Sequence, residues 1–160
     1  MKNNWIFYFI FLVCLQSLNA QKNQGEANYT YEVSCLGTEL DGSITLESYG
    51  MGRNYSDASE QSKKNAVQAV IFKGIKTGVG DCNKSPLLLT PNADKKYEDY
   101  FASFFADNGA YLEFVSTKDE KVLNKVKRNA KKSKQMQQRM VVVRVNRLAL
   151  KKKLESDNIK

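Results

Sequence analysis

The chain contains no histidine. The usual base of Ser-His and Cys-His hydrolases is therefore missing, and so is the commonest zinc ligand. Cysteine is scarce as well. Cys14, Cys35 and Cys82 are the three present, far apart and without the clustered spacing of a structural zinc site. Both prolines, Pro86 and Pro91, fall in one short stretch, which leaves the rest of the chain free of that helix and sheet breaker. Long hydrophobic runs are absent too. The extended apolar run from Trp5 to Leu15 is about 11 residues, against the roughly 20 that cross a bilayer.

That run has a different use. Lys2 precedes it, polar Gln16, Ser17 and Asn19 follow it, and Ala20-Gln21 offers a small-residue cut. These are the three regions of a secretory signal peptide, assigned to residues 1–20. Lipidation at Cys14 is disfavoured, because Val13 and Phe11 fit poorly the small and aliphatic residues wanted there. Cleavage leaves no transmembrane anchor. It removes only Lys2 among the charges, so 24 basic side chains face 17 acidic ones in the mature chain. The 140 remaining residues suit one domain with its own core. Cys35 and Cys82 survive. In an exported chain an even pair is most simply a disulfide, the rival reading being two separate buried thiols.

Residues 21–27 are polar and read as a flexible lead into a single domain over 28–157. Tyr29, Tyr31, Val33 and Cys35 alternate with Thr30, Glu32 and Ser34, as a half-buried strand requires. Asp41-Gly42 marks a hairpin turn, and the return strand carries Ile44 and Leu46 before Gly50 and Gly52, whose size would let a helix approach closely. Asp57 and Glu60 resemble a capping box. The stripe Ala58, Ser62, Ala66, Val67, Ala69, Val70 and Ile71 predicts a helix that Gly74 and Gly78 end. Residues 76–92 form a long breaker-rich connection with Cys82 as its tie. A second helix is expected from Asp94, with Tyr97, Tyr100, Phe101, Phe104 and Phe105 on one face as core, stopped at Asn108-Gly109. Tyr111 to Val115 suggests a short strand, and Val122, Leu123 and Val126 fit a helix turn or a strand equally. Met140 to Val145 reads as a buried strand, and Leu148, Leu150 and Leu154 as a closing helix. The fold class is α+β: an antiparallel sheet with helices packed on one face, in the order ββ-α-α-ββ-α.

Residues Gly50-Met-Gly52-Arg-Asn-Tyr-Ser-Asp-Ala58, followed by Ser62, Ala66 and Val70 at four-residue intervals, resemble the strand-to-helix passage of the amino-terminal domain of flagellar assembly protein T and related small outer-membrane lipoproteins. The likeness covers residues 29–75. Lys63 to Ile75 also looks like exported Gram-negative envelope proteins of uncharacterised function. The resemblance implies two strands, an alanine-rich helix, further strands and a final helix, and it implies a location more than an activity. The chain departs from those lipoproteins in lacking a good lipidation site and in adding the aromatic helix 94–105.

Chemical motifs are few. Gly78 to Ser85 approaches a phosphate loop, but Asn83 stands where the second glycine belongs, a helix precedes it and Pro86 follows, so no nucleotide cofactor is expected. Glu98 with Asp99, and Asp119 with Glu120, are sequence neighbours that point apart on a helix and read as solvated surface. The sequons Asn28-Tyr-Thr30 and Asn54-Tyr-Ser56 matter only in a eukaryotic source.

Charge is the main functional clue. From Lys121 to Leu154 there are thirteen Lys or Arg and no Asp or Glu, with Lys127, Arg128, Lys131, Lys132 and Lys134 at the centre of the expected loop. Such a block attracts an acidic envelope protein, or an anionic lipid or lipopolysaccharide surface. Nucleic acid is disfavoured, since no aromatics interleave the basic residues for base stacking. The expectation is a non-catalytic binding or assembly module of the cell envelope, periplasmic or outer-membrane-associated, without cofactor or metal. The alternatives are a structural subunit docking through aromatics such as Tyr97 and Phe104, and a small wall or glycan enzyme with an unrecognised carboxylate site.

Overall fold

A computed structural model of the chain describes residues 33–117 and 137–160. The leader 1–20, the segment 21–27, Tyr29 and Tyr31 of the expected first strand, and Lys127, Arg128, Lys131, Lys132 and Lys134 lie outside the described residues.

Strand β1 (Ser34–Thr38) and strand β2 (Ile44–Gly52) form the expected antiparallel hairpin. Its turn closes through Glu39 N–H to the Ser43 carbonyl at 2.8 Å, and the Asp41 carboxylate accepts from Ser43 N–H at 2.9 Å. Alternation sets the two faces: Ile44, Leu46, Ser48 and Gly50 are buried, while Thr45, Glu47 and Tyr49 on the other face are half-buried. Strand β5 (Gln137–Val145) pairs antiparallel along all of β2, with Ile44 opposite Val145 and Gly52 opposite Gln137. Strand β4 (Val115–Ser116) adds to its far side.

Helix α1 (Tyr55–Gln68) lies on the buried face, presenting Ala58, Ser62, Ala66 and Val67 to it. Gly50 permits that contact, because a Cβ there would run into the Ala58 carbonyl oxygen and the Ser62 nitrogen, both main-chain atoms. The helix begins one turn earlier than the Asp57–Glu60 pair suggests. Asn54 is the N-cap, and its side-chain oxygen accepts from Asp57 N–H at 2.9 Å, so Asp57 sits inside the first turn. The last turn widens to a π-helical segment (Ala69–Lys73) that stops at Gly74. Two end carbonyls there, of Val70 and Ile71, accept from the main chain of Leu87 and Leu88, both at 2.9 Å. The long connection thereby supplies donors that a helix end lacks.

Gly78 has another role than helix stop. Thr77–Gly78 form strand β3, parallel to β1, so the five-stranded order is β3-β1-β2-β5-β4 and the sheet is mixed rather than wholly antiparallel. Gly78 has φ +129°, and a Cβ on it would meet the Cys35 main chain. A glycine is what lets this edge close beside the bridged cysteine.

The expected aromatic helix is split into α2 (Ala93–Lys96) and α3 (Glu98–Phe104), since Tyr97 leaves helical geometry at φ −117°, ψ 37°. From that position its hydroxyl donates to the Lys160 carbonyl at 3.2 Å. Phe101 meets Phe72 edge-on with centroids 4.6 Å apart, and Phe104 stacks on Phe114 at 6.1 Å. Residues Ala110–Phe114 are a 3-10 turn instead of a strand. Tyr111 and Phe114 are three apart, the spacing that a threefold helix brings to one side, and both are buried. Helix α4 (Arg147–Ser156) closes the fold with Leu150 and Leu154 buried, while Leu148 stays exposed. These helices share one core with Ile44, Leu46, Val141, Val143 and Val145, so the α+β architecture has its helices on one face of the sheet.

Candidate functional site

Three loops meet at the end of the sheet where β2 begins and β5 ends. Cys35 and Cys82 are disulfide-bonded, with Cα atoms 6.3 Å apart and both side chains buried. The bridge anchors the start of the connection 79–92. Further on, Ile75 N–H donates to the Lys84 carbonyl at 2.9 Å, and the Leu87 and Leu88 pairings with the π turn follow. The segment carrying Asn83, Pro86 and Leu87 is thus stitched to the core at both ends. The β1–β2 turn brings Gly42 against the Leu148 side chain. Asn146 ends β5 and caps α4, its side-chain oxygen accepting from Ala149 N–H at 2.9 Å.

Between these pieces lies an open cleft of about 370 Å³, lined by Gly42, Asn83, Pro86, Leu87, Arg147, Leu148 and Lys151. Arg147 and Lys151 stand four apart in the first turns of α4, the spacing that puts two side chains on one helix face. Pro86, Leu87 and Leu148 supply an apolar wall. The cleft is therefore lined by both cationic and apolar side chains.

Three described cations of the basic block have carboxylate partners. Arg144 pairs with Glu39 at 3.4 Å. Lys153 pairs with Asp157 at 2.7 Å, and that contact, with the Tyr100 hydroxyl bond, holds the Asp157 carboxyl below the ordinary aspartate range. Lys151 reaches Glu155 at 3.8 Å across an exposed surface. Arg147 differs in having no carboxylate partner among the described residues; its Nη1 is buried without a hydrogen-bond partner, and burial holds the guanidinium below the ordinary arginine value. An unpaired donor on a permanent cation is costly to leave unmet.

Sequence reasoning put its weight on Lys127, Arg128, Lys131, Lys132 and Lys134, which lie outside the described residues, and overlooked Arg147 with Lys151. The signal was available in the pattern Asn146-Arg-Leu-Ala-Leu-Lys151: a cap followed by two cations at helical spacing. Of the two aromatics named for docking, Phe104 is 4 % exposed and belongs to the core, while Tyr97 is half-buried. Glu98 and Asp99 are solvent-exposed. Among the described residues no three Cys, Asp or Glu side chains are grouped to hold a metal ion, and no helix is long and apolar enough to cross a membrane. No protein-family model, curated protein or solved structure matches the chain.

Proposed function

We propose that this protein is an exported, non-catalytic binding or assembly module of the cell envelope that engages an acidic partner or anionic surface through its basic C-terminal region. The observation that carries the reading is the unbroken basic character from Lys121 to Lys153, together with the incomplete internal neutralisation of its described part. Arg144 and Lys153 are matched by Glu39 and Asp157, whereas Arg147 has no ion pair among the described residues. Having no carboxylate partner among the described residues, the Arg147 charge adds to the field that the basic region presents to an anionic partner. The signal-like leader and the likeness of residues 29–75 to envelope modules support an envelope location, and the Cys35–Cys82 disulfide is compatible with an oxidising compartment.

The test is retention of the mature protein on phosphatidylglycerol vesicles, compared with the variant carrying Lys131→Glu, Lys132→Glu and Lys134→Glu. Wild type should be retained at low salt and released as the screening length shrinks from about 10 Å at 0.1 M to about 3 Å at 1 M. The triple variant should not be retained. Equal, salt-independent retention of both proteins would remove the basic block from the function, and in-cell crosslinking would then have to find the partner surface elsewhere.

A further inference from the structure

We infer that the cleft between Pro86–Leu87 and the start of α4 is a binding site for a small carboxylate joined to an apolar group. This rests on the binding reading above for the sign of the ligand's charge. It goes further in naming a discrete site and a ligand class.

Four observations converge on it. The cleft, at about 370 Å³, falls within the roughly 300–1,000 Å³ of small-molecule sites. Its walls are fixed before any ligand arrives: the Asn83–Leu88 segment is held by the disulfide and by hydrogen bonds to Ile75, Val70 and Ile71, and Arg147 and Lys151 ride on a capped helix. Arg147 lines the cleft and has no carboxylate partner among the described residues, so the cation at this wall is left for a carboxylate to meet. Opposite charge is accompanied by apolar surface from Pro86, Leu87 and Leu148, and Leu148 is 50 % exposed on this rim. A bare inorganic anion would leave that surface in water.

The charge balance selects a monoanion. Lys151 already shares its charge with Glu155, which leaves Arg147 as the uncompensated cation. One carboxylate matches it. A phosphomonoester, carrying about −1.5 to −2 at neutral pH, would bring an excess negative charge beside Glu155. The planar fork of arginine also fits the two oxygens of a carboxylate.

The experiment is an amide NMR titration of the mature, disulfide-bonded protein with sodium octanoate below its micellar concentration, beside acetate, octan-1-ol and octyl phosphate. Octanoate should give saturable shifts at Leu87, Leu148 and Lys151, with the three comparison compounds at least tenfold weaker. Arg147→Gln should weaken octanoate at least tenfold. Because Arg147 is half-buried, a second variant guards against misfolding: Leu148→Glu, at an exposed position, should abolish octanoate binding while leaving the remaining spectrum in place. Absence of saturable octanoate binding, equal affinity in Arg147→Gln, or tighter binding of octyl phosphate overturns the assignment. Loss of octanoate binding with vesicle retention intact rejects the cleft alone. Loss of retention with octanoate binding intact rejects the basic block and keeps the cleft.

Discussion

Ser48 and Ser62 exchange hydrogen bonds across the sheet–helix interface: the Ser48 hydroxyl donates to the Ser62 carbonyl at 2.9 Å, and the Ser62 hydroxyl donates to the Ser48 carbonyl at 2.8 Å. Both side chains are fully buried. The serines are there because β2 and α1 approach too closely for larger side chains, and a hydroxyl in so dry a place must find an acceptor. Each serine's main-chain carbonyl is that acceptor for the other's hydroxyl.

The reciprocal pair makes a first prediction. Ser48→Ala and Ser62→Ala should each lower stability by about 1 kcal/mol, the net worth of a typical buried hydrogen bond. Urea denaturation of both variants with an unchanged m value would measure it. Losses within the ~0.5 kcal/mol of ordinary surface changes would show that the exchange adds no net stability.

Gly50 sits one residue pair further along the same face. Gly50→Ala would drive a methyl group into the Ala58 carbonyl oxygen and the Ser62 nitrogen, neither of which can rotate away. The expected loss is about 3 kcal/mol or more, at the upper end of overpacking costs. Gly37→Ala is the control, since a Cβ there meets nothing within 4 Å. It should be neutral or stabilising by about 0.4–1 kcal/mol through a less flexible unfolded chain. Comparable denaturation midpoints for the two variants would contradict the close approach of α1.

Cys35 and Cys82 are separated by 47 positions, and closing a loop of that size in the unfolded chain removes about 3–4 kcal/mol of its entropy advantage. The double variant Cys35→Ala with Cys82→Ala should lose stability of that order. Peptide mapping without reductant should recover the two cysteines linked. Free thiols at both positions in protein purified from an oxidising compartment would sink the clamp and, with it, the fixed wall of the cleft.

What the sequence made legible follows from how local each signal is. The hairpin at Asp41-Gly42, the small-residue face of Ala58 and Ser62 against Gly50, and the β-branched run to Val145 are periodic or turn signals that depend on near neighbours, and each stands in the structure. The misplaced pieces depend on distant partners. Thr77–Gly78 are a strand only because Cys35 lies beside them. The π turn at Ala69–Lys73 exists with Leu87 and Leu88 to take its carbonyls. The 3-10 turn at Ala110–Phe114 reads as a strand until its two buried rings are seen three residues apart. The cleft was hidden for the same reason. Its cations and Leu148 come from α4 and the rest of its apolar wall, Pro86 and Leu87, from the earlier connection, and only the fold brings Leu87 beside Arg147.

Tyr111 carries the last prediction, on alkaline stability. Its ring is buried and its hydroxyl donates to the Glu60 carboxylate at 3.1 Å. Burial first, then the Glu60 charge, raises its pKa above the ordinary 10.0. The folded chain therefore holds this proton at a pH where the unfolded chain has released it. Stability from Tyr111 is complete below about pH 10 and is lost as pH rises above it, by at most about 1.4 kcal/mol per pH unit. Tyr100, shifted the same way by burial and by Asp157, adds a parallel loss. Tyr111→Phe gives up the hydroxyl bond, a constant offset, but it removes this titration while those of Tyr100 and of Tyr49, also raised by burial, stay. Urea midpoints measured from about pH 8 to about pH 11.5 should fall less steeply in the variant than in wild type. Parallel curves would mean that Tyr111 ionises as freely in the fold as out of it, which its burial against Glu60 forbids.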